Sequence, residues 1–180
     1  MPHKPIIAVF GGSAAQPGES DYEAAIEAGS LLARAGYQVA TGGYAGIMEA
    51  AAIGAREAGG EAIGVTVPSV FPDRDGANSY ISSEVRTASL TERIHELVSM
   101  SSASMALPGS IGTLTELIVA WNNAFVARFS NEAAKPVVAV GETWTRLVAE
   151  LSDVLETDPS IVSCHDTVAD AVAHLVERLG

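Results

Sequence analysis

The stretch Pro5-Ile6-Ile7-Ala8-Val9-Phe10-Gly11-Gly12-Ser13 decides the fold. An apolar run that does not alternate reads as a strand buried on both faces, the hallmark of a parallel sheet covered by helices. The glycines that close it mark a tight exit from strand to helix. Outward from there the chain repeats the same cycle. Ser20 and Glu23 have capping-box spacing, and Ala24, Ala25, Ala28, Leu31, Leu32 and Ala35 follow with helical periodicity until Gly36. A strand over 37–40 leads into Thr41-Gly42-Gly43-Tyr44-Ala45-Gly46, then a helix over about 46–58 and a strand over 62–67. Residues 68–81 lack periodicity and read as a functional loop. A short strand over 85–87 precedes a helix capped by Ser89 and Glu92, with Leu90, Ile94, Leu97 and Val98 on its inner face. A strand over 104–107 runs into Pro108-Gly109-Ser110-Ile111-Gly112-Thr113 and a long helix to about 128. Strands over 136–140 and 161–162, each followed by a helix, finish the pattern. Strict alternation predicts a single α/β domain over 1–180: Rossmann-like, doubly wound, mainly parallel, with helices on both faces.

Composition removes several function classes. The chain has 180 residues, 10 Lys and Arg against 22 Asp and Glu, and a net charge of −12. That balance excludes a nucleic-acid-coating surface, which needs clustered cations. Cys164 is the single cysteine, so there is no internal disulfide and no cysteine-rich zinc site, and a reducing cytoplasm is the expected setting. No apolar run approaches the roughly 20 residues of a membrane span, and the chain opens on a strand pattern rather than a signal peptide.

Three strand-to-helix turns are rich in glycine, and in doubly wound sheets such turns line the ligand crevice. Glycine admits close backbone approach, and the helix behind it offers free N–H groups and a partial positive charge. The expected guest is an anion, a phosphate first of all, held by backbone amides with the hydroxyls of Ser13, Ser110 and Thr113. Neither a Gly-Lys-Ser/Thr phosphate loop nor a strand–GxGxxG dinucleotide turn is present. Glu116 is expected in the first turn of a helix beginning near Thr113, where the helix dipole favours the anion. Arg93 falls within the apolar arc of its helix, so it either snorkels to the sheet edge or meets an anion in the cleft. His3, His95, His165 and His174 show no metal-ligand spacing and read as surface or loop residues. Cys164 reads as a small hydrophobe at the end of a strand. Met48, Met100 and Met105 fall at core-like positions.

Pro108-Gly109-Ser110-Ile111-Gly112-Thr113-Leu114-Thr115-Glu116 resembles the P-G-G-x-G-T-x-x-E motif of the LONELY GUY family, often labelled lysine decarboxylases. The resemblance also takes in the first strand, Gly42-Gly43-Tyr44-Ala45-Gly46-Ile47-Met48, Gly59-Gly60, and an arginine fifteen residues before the motif proline, here Arg93. It implies a Rossmann-like phosphoribohydrolase that cuts the N-glycosidic bond of a purine or cytokinin-type nucleoside 5′-monophosphate. The products are the free base and ribose 5-phosphate, with neither metal nor cofactor. Carried over by position, Arg93 and Glu116 are catalytic. The phosphate and nucleotide contacts are Gly12, Ser13, Gly42, Gly43, Gly46, Met48, Pro108, Gly109, Ser110, Gly112 and Thr113. The family also implies a homodimer or larger homo-oligomer, with sites near the interface. In agreement, Leu114, Leu117, Ile118, Val119, Trp121, Phe125 and Val126 make the following helix apolar around most of its circumference. The chain departs from the family pattern at Ser110, Ile94 and Thr41. The segment 42–64 resembles molybdenum-cofactor carriers, which gives the alternative of a non-catalytic carrier for a phosphorylated nucleotide-like or molybdopterin-type ligand. Decarboxylation through pyridoxal phosphate is rejected because it needs a lysine in the site; Lys4 and Lys135 both lie away from the glycine turns.

Overall fold

Seven parallel strands form one sheet in the order β4-β3-β2-β1-β5-β6-β7 in a computed structural model describing residues 4–71, 76–130 and 132–180. The strands are β1 (Ile6–Phe10), β2 (Gln38–Thr41), β3 (Ala62–Thr66), β4 (Ser83–Arg86), β5 (Ala103–Ala106), β6 (Val137–Val140) and β7 (Val162–His165). The helices are α1 (Ser20–Arg34), α2 (Ile47–Glu57), α3 (Leu90–Met100), α4 (Ile111–Ala127), α5 (Glu142–Val154) and α6 (Val168–Leu179). Every strand pairing is parallel. The sheet is therefore Rossmann-like, with strand order reversing between β1 and β5.

Side-chain alternation along β1 separates two core layers. Ile7 and Val9 join the cluster built with α1, α2 and α6, while Ala8 and Phe10 join the cluster built with α3, α4 and α5. Between α1 and α2 the helices meet at glycines. A β-carbon on Gly29 would overlap the Ala51 carbonyl oxygen, and one on Gly54 would overlap that of Ile26. Among the described residues no helix is long and apolar enough to cross a membrane.

Several local expectations need correction. Ser20 is the first residue of α1, not its cap; Glu19 takes the cap position without a side-chain bond to the helix. The carboxylates there tether the preceding loop instead, Glu19 accepting from the Gln16 N–H at 2.9 Å and Glu23 from the Gly18 N–H at 3.2 Å. The second box forms in half: Ser89 Oγ accepts from the Glu92 N–H at 3.2 Å, while Glu92 accepts from the Ala88 N–H at 2.7 Å, one residue before the cap. Leu90 is 44% exposed rather than inward, because the start of α3 opens on a cleft. The last strand runs to His165, with a 3-10 turn at Pro159–Ile161 before it, so Cys164 lies within the strand and is only half-buried. His165 is a strand residue whose ring lies 5.1 Å from that of His174. His3 lies outside the described residues.

Candidate active site

The crevice opens beyond the carboxyl ends of β1 and β5, where a doubly wound sheet places its ligand. Two glycine turns touch there, backbone to backbone. The Gly12 N–H donates to the Pro108 carbonyl at 3.1 Å, and a β-carbon on Gly12 would stand 3.2 Å from the Gly109 Cα. A β-carbon on Gly109 would overlap Thr113 Oγ1. Two hollows flank this contact and share Gly12, Ser13 and Ser110. One, of about 260 Å³, is lined by Tyr44, Met48, Phe71, Leu90, Arg93, Gly112, Thr113 and Glu116 among others. The other, of about 450 Å³, lies toward Glu19 and Asp21 and includes Pro108 and Gly109.

The second glycine turn plays a different part. Gly42, Gly43 and Gly46 line neither hollow. Gly42 makes room for the Arg93 guanidinium, which a β-carbon would overlap, and Gly46, at φ 72°, packs on the backbone of Gly12 and Ser13. Gly43, at φ 76°, is closed off: its N–H donates to Thr41 Oγ1 at 3.0 Å and its carbonyl accepts from the Asn78 N–H at 2.8 Å. The threonine at position 41 thus supplies an acceptor within the turn.

Arg93 and Glu116 meet in the smaller hollow, 8% and 7% exposed. Arg93 Nη1 donates to Glu116 Oε1 at 3.1 Å, Nε to the Val65 carbonyl at 2.8 Å, and Nη2 to the Met48 sulfur at 3.7 Å. The guanidinium also stands 5.8 Å from the Tyr44 ring centroid. Arg93 therefore does not snorkel; it is fixed against the third strand's carboxyl end. Glu116 departs from expectation. Because α4 begins at Ile111, Glu116 falls in its second turn, beyond the reach of the terminal dipole. Burial pushes its carboxyl up to about 6, with Arg93 opposing.

The start of α4 is unusual within this molecule. The first turns of α1, α2, α3, α5 and α6 each carry Asp or Glu, and that of α4 carries none. Its N-cap, Ser110, makes no side-chain capping bond. The positive end of this helix therefore has no side-chain counterweight, beside the Arg93–Glu116 pair. Sequence reasoning missed Tyr44, Phe71 and Leu90 as wall residues. Tyr44 lay within the quoted turn, but nothing in the spacing fixed which way its ring faces. Among the described residues no group of three or more His, Cys, Asp or Glu could hold a metal.

The model of the SLOG cluster4 family matches residues 4–158. The chain belongs to that family. A similar protein is the cytokinin riboside 5′-monophosphate phosphoribohydrolase of Mycobacterium tuberculosis, 32% identical over 156 residues, covering 84% of this chain and 79% of that one. A probable enzyme of the same name from Oryza sativa is 35% identical over 118 residues, covering 64% of this chain and 52% of the relative. These matches bear out the LONELY GUY resemblance. Among solved structures, the molybdenum cofactor binding protein of Rippkaea orientalis superposes with a TM-score of 0.80 at 27% identity, covering 100% of both chains. The molybdenum cofactor carrier protein of Chlamydomonas reinhardtii gives 0.76 at 29% identity, covering 98% of this chain and 99% of that one. This SLOG chain therefore resembles the carriers across its whole fold, well beyond the segment 42–64.

Proposed function

We propose that this chain hydrolyses the N-glycosidic bond of a purine or cytokinin-type nucleoside 5′-monophosphate, releasing free base and ribose 5-phosphate. The observation that carries this reading is the buried Arg93–Glu116 pair beside a helix terminus with no acid of its own. The phosphate sits at the first turn of α4, held by the free N–H groups of residues 111–113 with the Ser110 and Thr113 hydroxyls. The ribose then lies over Glu116. As the bond from C1′ to the base nitrogen breaks, positive charge grows on the sugar, and an ionised carboxylate stabilises it. The same carboxylate takes a proton from the water whose oxygen bonds to C1′, and that proton passes on, directly or through solvent, to the departing nitrogen, which leaves Glu116 ionised again. Arg93 holds Glu116 in place and offers its remaining N–H groups to the nucleotide.

A second copy of the chain covers the outer face of α4, where Ile118 and Val126 are exposed and Phe129 just beyond is 77% exposed. The cytoplasm is the setting that fits the single cysteine. The carrier reading keeps the phosphate position but leaves Arg93 and Glu116 as scaffold; full-length superposition on the cofactor carriers favours it.

Chromatography of purified protein with AMP, other nucleoside monophosphates and a prenylated adenine nucleotide separates the two. Free base that disappears with Glu116→Gln and with Arg93→Ala is the expected result. Saturable binding of a phosphorylated ligand with no base released would transfer the chain to the carrier class.

A further inference from the structure

We propose that Asn78 is a positioning residue for the Arg93–Glu116 pair, acting through Tyr44; the inference rests on the hydrolytic reading above. Asn78 lies between β3 and β4, outside both hollows, and its amide is fully engaged. Nδ2 donates to the Gly43 carbonyl at 3.1 Å and to the Tyr44 carbonyl at 2.9 Å, while Oδ1 accepts from the Tyr80 N–H at 3.1 Å. With its own N–H on the Gly43 oxygen, Asn78 clips the main chain of that turn at two successive carbonyls.

The clipped residue is the one that faces the guanidinium. The Tyr44 hydroxyl accepts from the Val67 N–H at 2.9 Å, which pins the far end of the ring. Its face stands beside Arg93, and it forms a T-shaped pair with Phe71, ring centroids 5.4 Å apart. Arg93 is thus confined between the Gly42 backbone and the Tyr44 ring, and both belong to the turn that Asn78 holds. Releasing the clip lets the turn drift, widens the slot and loosens the charge opposite Glu116. The phosphate position at α4 lies on separate elements and is untouched.

This separation gives the test. In Asn78→Ala, kcat for base release should fall by roughly tenfold or more and by a clearly larger factor than KM rises, since the phosphate contacts at α4 are kept while alignment of Arg93 opposite Glu116 is lost. In ligand-free protein, a carbon-13 NMR titration should place the Glu116 carboxyl roughly half a pH unit or more above its parent value as Arg93 moves away. Asn78→Ser, whose hydroxyl reaches only one carbonyl, should fall between. A folded Asn78→Ala with unchanged kcat and unchanged Glu116 titration would overturn the proposal. If Asn78→Ala does not fold, the same two readouts on Asn78→Ser decide it. If the parent itself releases no base, the hydrolytic reading fails while the titration still decides the clip.

Discussion

Glu116 is the residue on which the chemistry turns, and its burial makes its charge conditional. With its carboxyl at about 6, it is largely ionised at neutral pH and largely protonated below 5.5. If the carboxylate is the working form, kcat/KM for base release should rise tenfold per pH unit below about 6 and level off above it. Glu116→Gln should abolish that limb together with the activity, and a pH–rate profile of both proteins reads this directly. The sign for stability is opposite. The folded state holds this proton more tightly than the unfolded chain between 4.5 and about 6, so the residue's contribution declines by about 2 kcal/mol as pH rises through that window. Arg93 was legible from sequence because helical spacing placed a cation inside an apolar arc. The offset of Glu116 was not, since Gly112 in the first turn weakens the helical signal where the helix begins. Asn78 and the Val65 carbonyl escaped because their contacts join residues far apart in sequence.

At the scale of elements, the alternation of apolar runs and glycine turns was enough to order the strands and helices, with ends displaced by up to three residues, the most at the last strand. Capping was harder to read: Ser89 caps its helix while Glu92 reaches one residue past it to Ala88, and the same spacing at Ser20–Glu23 serves a loop, because carboxylates will accept from whichever free N–H lies nearest. The packing of α1 on α2 carried no recognised signal, although Gly29 and Gly54 sit at its closest approach. An alanine in the middle of a helix normally stabilises by about 1 kcal/mol over glycine. Gly54→Ala should do the reverse, since its methyl meets the Ile26 carbonyl; a loss of roughly 2 kcal/mol is expected, seen as a melting temperature lower by roughly 4–8 °C. An unchanged or raised melting temperature would mean that the two helices can part without cost.

For the whole molecule, the outer face of α4 sets the expected assembly. A shallow apolar dent of about 250 Å³, lined by Ile118, Trp121, Phe125 and Leu155, continues the exposed patch that ends at Phe129. Light scattering should give twice the mass of the chain, and Ile118→Glu with Phe129→Glu should return it to one. A parent that is monomeric at high concentration would leave that face without a second copy. The helices also sort charge across the molecule. All of the described α-helices except α4 carry an acid in the first turn. At or near their ends lie Arg34, Arg56, Arg128 and Arg178, and Lys135 donates to the last carbonyls of α3 at 2.8 and 3.0 Å. Side-chain charge therefore opposes the backbone dipole at most helix ends, with α5 the exception, since Glu150 and Asp153 lie near its last turn and no cation does. Among the described helices only α4 starts without such a counterweight, so the carboxyl edge of the sheet keeps a single uncancelled positive turn, beside the Arg93 guanidinium.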